Sequence, residues 1–238
     1  MSTPRQQARV RTLADITRIG RDHLASYGAA GLSLRAVARD LGVVSSAIYR
    51  YVPSRDDLLT LLVVDAYTEL GEAVERAAAA CAPDDLAGRW RATAGAVRDW
   101  ALREPSRYSL VFGTPVPGYH APAEQTTGPG TRVITLLLRL AADAQAAGAT
   151  PLTPLTPLTP PGEAPEVLRG DAQRVRAASG LAVSDEMLTA AVLAWVSLFG
   201  AVSFEVFGQF GPDTFTDPEA MFAALVAVLG SVLGLPAA

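Results

Sequence analysis

The sequence has no lysine, one cysteine and two histidines. The lone Cys81 excludes an internal disulfide and a thiolate cage, and is compatible with a reducing compartment. Beside it, His23 and His120 form no metal-ligand spacing and no nucleophile–base set, and no phosphate-binding glycine loop is present. No metal, no cofactor and no enzymatic activity are therefore expected. All 20 cationic side chains are arginine, which together with abundant Ala, Gly and Pro fits biased codon usage and carries no functional reading. Residues 1–11 are polar and basic with no apolar run behind them, so no signal peptide is expected, and a cytoplasmic location is. No stretch alternates with period two for long enough to propose a sheet, so the class is all-α.

The 238 residues, half of them hydrophobic, are enough for a sizeable buried core and exclude disorder for most of the length. Two late segments, 187–204 and 220–235, are nearly uncharged. The first reaches the length of a marginal membrane span. Thr189, Ser197 and Ser203 interrupt it and no basic cluster flanks it, so both are read as helices buried in protein, with no membrane partner.

Charge is unevenly spread. Residues 1–55 carry nine arginines against three acids, a balance of +6, and residues 56–238 carry 11 against 21, a balance of -10. A small basic head on an acidic body attracts phosphate at one end and repels it elsewhere.

Apolar spacing predicts helices over 10–27, 34–40, 45–51, 55–80, 86–104, 105–112, 131–147, 166–178, 184–210 and 218–233. Ser33 is expected to cap the second, and Ser54, with Asp57 three positions on, the fourth. Gly42 suits a tight turn between the second and third, and Val52-Pro53 stops the third. The Thr-Pro-Leu triplets of 150–162 forbid helix and sheet and are expected to be a disordered loop.

Two short helices joined by a glycine turn form a helix-turn-helix, whose second helix fits the major groove. Val37, Leu41, Val43, Ile48 and Val52 are expected to hold the pair against the first helix. That leaves Ser45, Ser46 and Tyr49 on the outer face with Arg50 beside them, where hydroxyls meet base edges and Tyr or Arg reach phosphates. Arg55, opening the next helix, is placed to meet a phosphate with the free backbone N–H groups there. Ser33, Arg35, Tyr51 and Ser54 complete the expected DNA-binding set.

The run Ile16-x-x-Ile19-Gly20, Leu24-x-x-x-Gly28, Ser33-Leu-Arg-Ala-Val-Ala38, Leu41-Gly42-Val43 and 47–59 resembles, without a gap, the N-terminal domain of the TetR family of transcriptional regulators. Val44 stands where that family often has a capping serine, and Val52 where phenylalanine is usual. Residues 100–119 are similar to a C-terminal type seen among actinobacterial members, with Glu104 where histidine often precedes the proline. The resemblance implies a three-helix helix-turn-helix domain over 1–55 and a larger helical ligand-binding and dimerisation domain over 56–238. It implies a homodimer, paired through its last two long helices, on a near-palindromic double-stranded DNA operator, and a small-molecule effector. Trp100, Tyr108, Phe112, Tyr119, His120, Trp195 and Phe199 are the candidate pocket liners, suited to a largely apolar or aromatic ligand. The expected activity is repression relieved by that ligand.

Overall fold

The computed structural model describes residues 3–151 and 166–236, and within them the chain is all-α, with no strand. In chain order the helices are α1 (Pro4–Tyr27), α2 (Leu34–Asp40), α3 (Ser45–Ile48), α4 (Arg55–Ala79), α5 (Leu86–Arg103), α6 (Pro105–Phe112), α7 (Ala123–Gly130), α8 (Arg132–Ala146), α9 (Glu166–Ser179), α10 (Asp185–Val206) and α11 (Pro218–Val232). From residue 152 to 165 the Thr-Pro-Leu segment, expected to be disordered, lies outside the described residues.

The first helix begins six residues earlier than its apolar spacing suggests. Thr3 and Gln6 form a reciprocal capping box, and Pro4 sits at the first helical position, where its missing N–H costs nothing. α7 has no counterpart among the helices that apolar spacing predicts. Its residues AEQTTGPG are weak helix formers, and the turn is held by Thr126, whose N–H and hydroxyl both donate to the Pro122 carbonyl.

Two compact units make up the chain: Met1–Gly71 with Ala101–Gly130, and Glu72–Trp100 with Thr131–Ala238. The division between the units falls inside α4, and the first unit contains residues 1–55. The reason is packing. Ile16, Ile19 and Leu24 of α1, Val37 and Ala38 of α2, Ile48 of α3 and Leu58, Leu59 and Leu62 of α4 share one buried cluster, with Leu110, Val116 and Tyr119 against it. Each fully buried Leu or Ile contributes about 1.5–3 kcal/mol, so α4 cannot be separated from the head without opening its core. Gly20 permits the close approach of α1 to α4, because a Cβ there would stand 3.2 Å from the Leu62 side chain.

In the second unit α10 packs on α8, α9 and α11. Ser184 caps α10 by accepting from Met187 N–H at 3.1 Å. Trp90 is buried and donates its indole N–H to the Val226 carbonyl of α11 at 2.8 Å, and Gly230 lets that helix lie against the ring. Arg98 makes a two-point pair with Glu205, both contacts at 2.7 Å. By length and composition α10 is apolar enough to cross a membrane, and 39% of its most apolar window is buried inside the protein.

Candidate nucleic-acid interface

The two short helices are joined by the glycine turn that the sequence predicts. Gly42 takes a positive φ of 75°, and Val43 N–H returns to the Ala38 carbonyl at 3.0 Å, closing the turn between α2 and α3. Val37, Ile48 and Val52 are buried and Leu41 partly so, as expected, but Val43 is 38% exposed and is not part of the seam. α3 is regular only to Ile48. Arg50 and Tyr51 continue it as a tighter turn, donating to the carbonyls of Ala47 and Ile48.

This turn exposes a small polar face. Ser45 and Ser46 open α3 and are exposed, as are Tyr49 and Arg50 after it, and Arg35 in the first turn of α2. Ser33 is half-buried at the N-cap position of α2, with no side-chain cap bond. Tyr51 is half-buried beneath Arg9, whose guanidinium lies 5.5 Å from the ring centre and donates to the Arg50 carbonyl at 3.3 Å. Arg9 of α1 thus grips the end of the α3 turn, a contact that residue spacing did not reveal.

Two further members of the expected set, besides Tyr51, are engaged within the protein. The Ser54 hydroxyl accepts from Asp57 N–H at 3.1 Å and donates to the Asp57 carboxylate at 2.6 Å, the predicted cap of α4. The Arg55 guanidinium donates to the carbonyl of Ala29 at 2.7 Å and to that of Ala30 at 3.5 Å. It fastens the start of α4 to the loop between α1 and α2.

The head is also tied together by charge. His23 of α1 is buried, and its Nε2 lies 2.7 Å from the carboxylate of Asp40 at the end of α2, while Nδ1 is buried without a hydrogen-bond partner among the described residues. His23, then Arg39, hold the Asp40 carboxyl below its ordinary value. Arg21 of α1 pairs with Asp65 of α4 through two contacts, and with Glu69 at 3.2 Å. The bond to Asp65 raises the pKa of Arg21. Arg107 of α6, only 3% exposed, reaches the same Asp65 and Glu69, each at 2.8 Å, and Glu104 at 3.5 Å. Counted over the first compact unit, 11 arginines face nine acids, a balance of +2. Much of the basic excess read over residues 1–55 is therefore answered by acids of α4.

The seven candidate pocket liners divide between the units. In the first, Tyr108 is fully buried and Phe112 packs on it at 5.0 Å and edge-on to Tyr67 at 5.9 Å. Tyr119 shares a 3.0 Å hydroxyl contact with the buried Thr60. His120 is exposed. In the second unit Trp100 is fully buried, and Trp195 and Phe199 are half-buried and edge-on at 6.3 Å. The second unit also has an open hollow of about 510 Å³ lined by Glu75, Cys81, Arg89, Leu136 and Asp143 among others, none of them in the candidate set.

A helix-turn-helix with an exposed hydroxyl and arginine face, mounted on an otherwise helical chain, defines the class of DNA-binding transcription regulators. Comparison with known proteins narrows this. Residues 90–229 match the family model described as the tetracyclin repressor-like C-terminal domain. The chain is 45% identical over 233 residues to the HTH-type transcriptional regulator Rv1816 of Mycobacterium tuberculosis, covering 96% of this chain and 95% of that one, and equally to Mb1846 of Mycobacterium bovis. Among solved structures it is similar to SCO4313, described as a regulatory protein, with 32% identity, a TM-score of 0.74 and coverage of 95% and 98%. A TetR-family regulatory protein from Rhodococcus RHA1 shares the fold at 15% identity and a TM-score of 0.60, with coverage of 94% and 97%. The chain belongs to the TetR family of helix-turn-helix transcription regulators, whose members bind DNA and are not enzymes.

Proposed function

We propose that this regulator is a cytoplasmic repressor that binds a near-palindromic operator as a homodimer and is released by a small, largely apolar or aromatic ligand. The observation that carries the DNA-reading part is the exposed face of Arg35, Ser45, Ser46, Tyr49 and Arg50 on the turn of two short helices. Ser45 and Ser46 stand where a recognition helix meets base edges, and the arginines where phosphates run. Tyr51 and Ser33 flank this face. Ser54 and Arg55 support it from behind, and the remaining guanidinium donors of Arg55 are its contribution to phosphate binding.

Support for the homodimer comes from α10 and α11. Val192, Leu193, Val196 and Phe204 of α10 and Val228 of α11 are between 41% and 61% exposed. Two such helices from each copy make a four-helix interface that covers these side chains. The aromatic groups around Tyr108 and Trp195 are the places where a flat apolar effector is proposed to bind. Footprinting on DNA flanking the chain's own gene tests the reading. Two protected half-sites related by near two-fold symmetry, about one helical turn apart, and lost on adding an effector, are the expected result. Protection of a single, asymmetric half-site contradicts the homodimeric reading.

A further inference from the structure

Val44 is the most exposed large hydrophobic side chain of the DNA-binding head beyond α1, at 72% exposure. It occupies the N-cap position of α3 with an extended backbone (φ -65°, ψ 141°), immediately before the exposed Ser45 and Ser46, and it makes no side-chain cap bond. Apolar side chains cannot cap a helix, so the position gives up stability that serine, threonine, asparagine or aspartate would supply. A branched apolar group held in water at the edge of a polar, base-facing surface also gains nothing in the free protein. Both costs are offset if Val44 is buried when the head docks.

Resting on the DNA-reading role of this face, we infer that Val44 is a specificity-determining residue that packs on the 5-methyl group of a thymine in each operator half-site. The reason is chemical. The edges of base pairs in the major groove are hydrogen-bond donors and acceptors except at one place, the thymine methyl, which is the apolar feature a valine can recognise. The flanking side chains suit that location. Ser45 and Ser46 are short enough to let the backbone approach, and Val43, 38% exposed, widens the apolar contact on the other side. Arg50 and Arg35 supply the phosphate contacts that set the register but carry no sequence information themselves.

Selection of binding DNA by the full-length chain from a randomised duplex pool, followed by anisotropy titrations on the selected site, tests this. Each thymine is replaced in turn by deoxyuridine, which removes the methyl and leaves the hydrogen-bonding edge unchanged. One thymine per half-site is expected to matter, with binding weakened about fourfold for each methyl removed, the worth of one buried methyl-sized group. Val44→Ala is expected to bind the thymine and uracil duplexes alike. Val44→Ser, which restores a capping side chain, is expected to lose the same preference while melting at or above the wild-type temperature, so the loss is not one of folding. A selected site indifferent to every methyl, one lacking thymine in its half-sites, or a Val44→Ala protein as sensitive to uracil as the wild type would overturn the assignment. A pool from which nothing is enriched would overturn the DNA-reading role itself, and the role of Val44 with it.

Discussion

The DNA-binding head and the α10–α11 pair expose opposite chemistries. Around α2 and α3 the outward side chains are serines, arginines and a tyrosine, with Val43 and Val44 the apolar exceptions, while Val37, Ala38 and Ile48 turn in to a cluster shared with α1 and α4. On α10 and α11 the apolar residues sit on both sides. Met187, Ala194, Leu198 and Val226 are buried, yet Val192, Leu193, Val196, Phe204 and Val228 remain exposed. The head is finished as a monomeric fold and presents hydrogen-bonding and cationic groups to a polyanion. The late helices leave an apolar stripe exposed, the surface that the proposed homodimer covers. In the proposed homodimer α10 is covered on two sides, which accounts for the high hydrophobicity that makes it look like a membrane span.

Breaking the apolar side of this comparison should have the largest effect. Val196→Glu places a charge on the proposed interface, and dimerisation followed by analytical ultracentrifugation should weaken roughly a hundredfold or more. Thermal stability of each unit should change little. Next comes the charge network under the head. Arg107→Ala strips Asp65 and Glu69 of their buried partner, while Arg21 still pairs with both. Urea unfolding should show a loss of about 3 kcal/mol. Arg55→Ala removes the bond to the Ala29 carbonyl and should cost ~1 kcal/mol of stability as well as affinity for every DNA sequence. Arg35→Ala should leave stability alone and reduce the salt slope of binding by about one for each phosphate it no longer neutralises. The smallest effect is one of pH. Because Asp40 is held below its ordinary value by His23 and Arg39, its contribution is fully present above the ordinary carboxylate range. It is lost as pH falls through the depressed value. Asp40→Asn should flatten that acid limb of the melting curve.

What was legible in the sequence was local. The Gly42 turn, Pro53 and the Ser54 cap are signals carried by residues within a few positions of one another, and the helices they bound follow. The Thr3–Gln6 box is just as local, but residues 4–9 carry no apolar stripe, so spacing started α1 too late. Where a helix has no apolar stripe and leans also on a distant group, spacing was silent. α7 carries Gly128, Pro129 and Gly130 and no apolar stripe, and Gly130 fits against the Tyr67 ring, whose atoms a Cβ would approach to 3.3 Å. The candidate interface divided in the same way. Exposure of Ser45, Ser46 and Arg50 followed from their helical face. The bond of Arg55 to Ala29, the grip of Arg9 on Tyr51 and the His23–Asp40 pair join residues 17 to 42 positions apart, and only the folded chain brings them together. Counting arginines by position overstated the free positive charge for that reason.

The measurement closest to the central claim is fluorescence anisotropy of the purified full-length chain with DNA from beside its own gene, against unrelated DNA, over a range of salt. Tight binding that prefers the local DNA and weakens steeply as salt rises is the predicted result. Absence of binding to either DNA, even at low salt, would contradict the account.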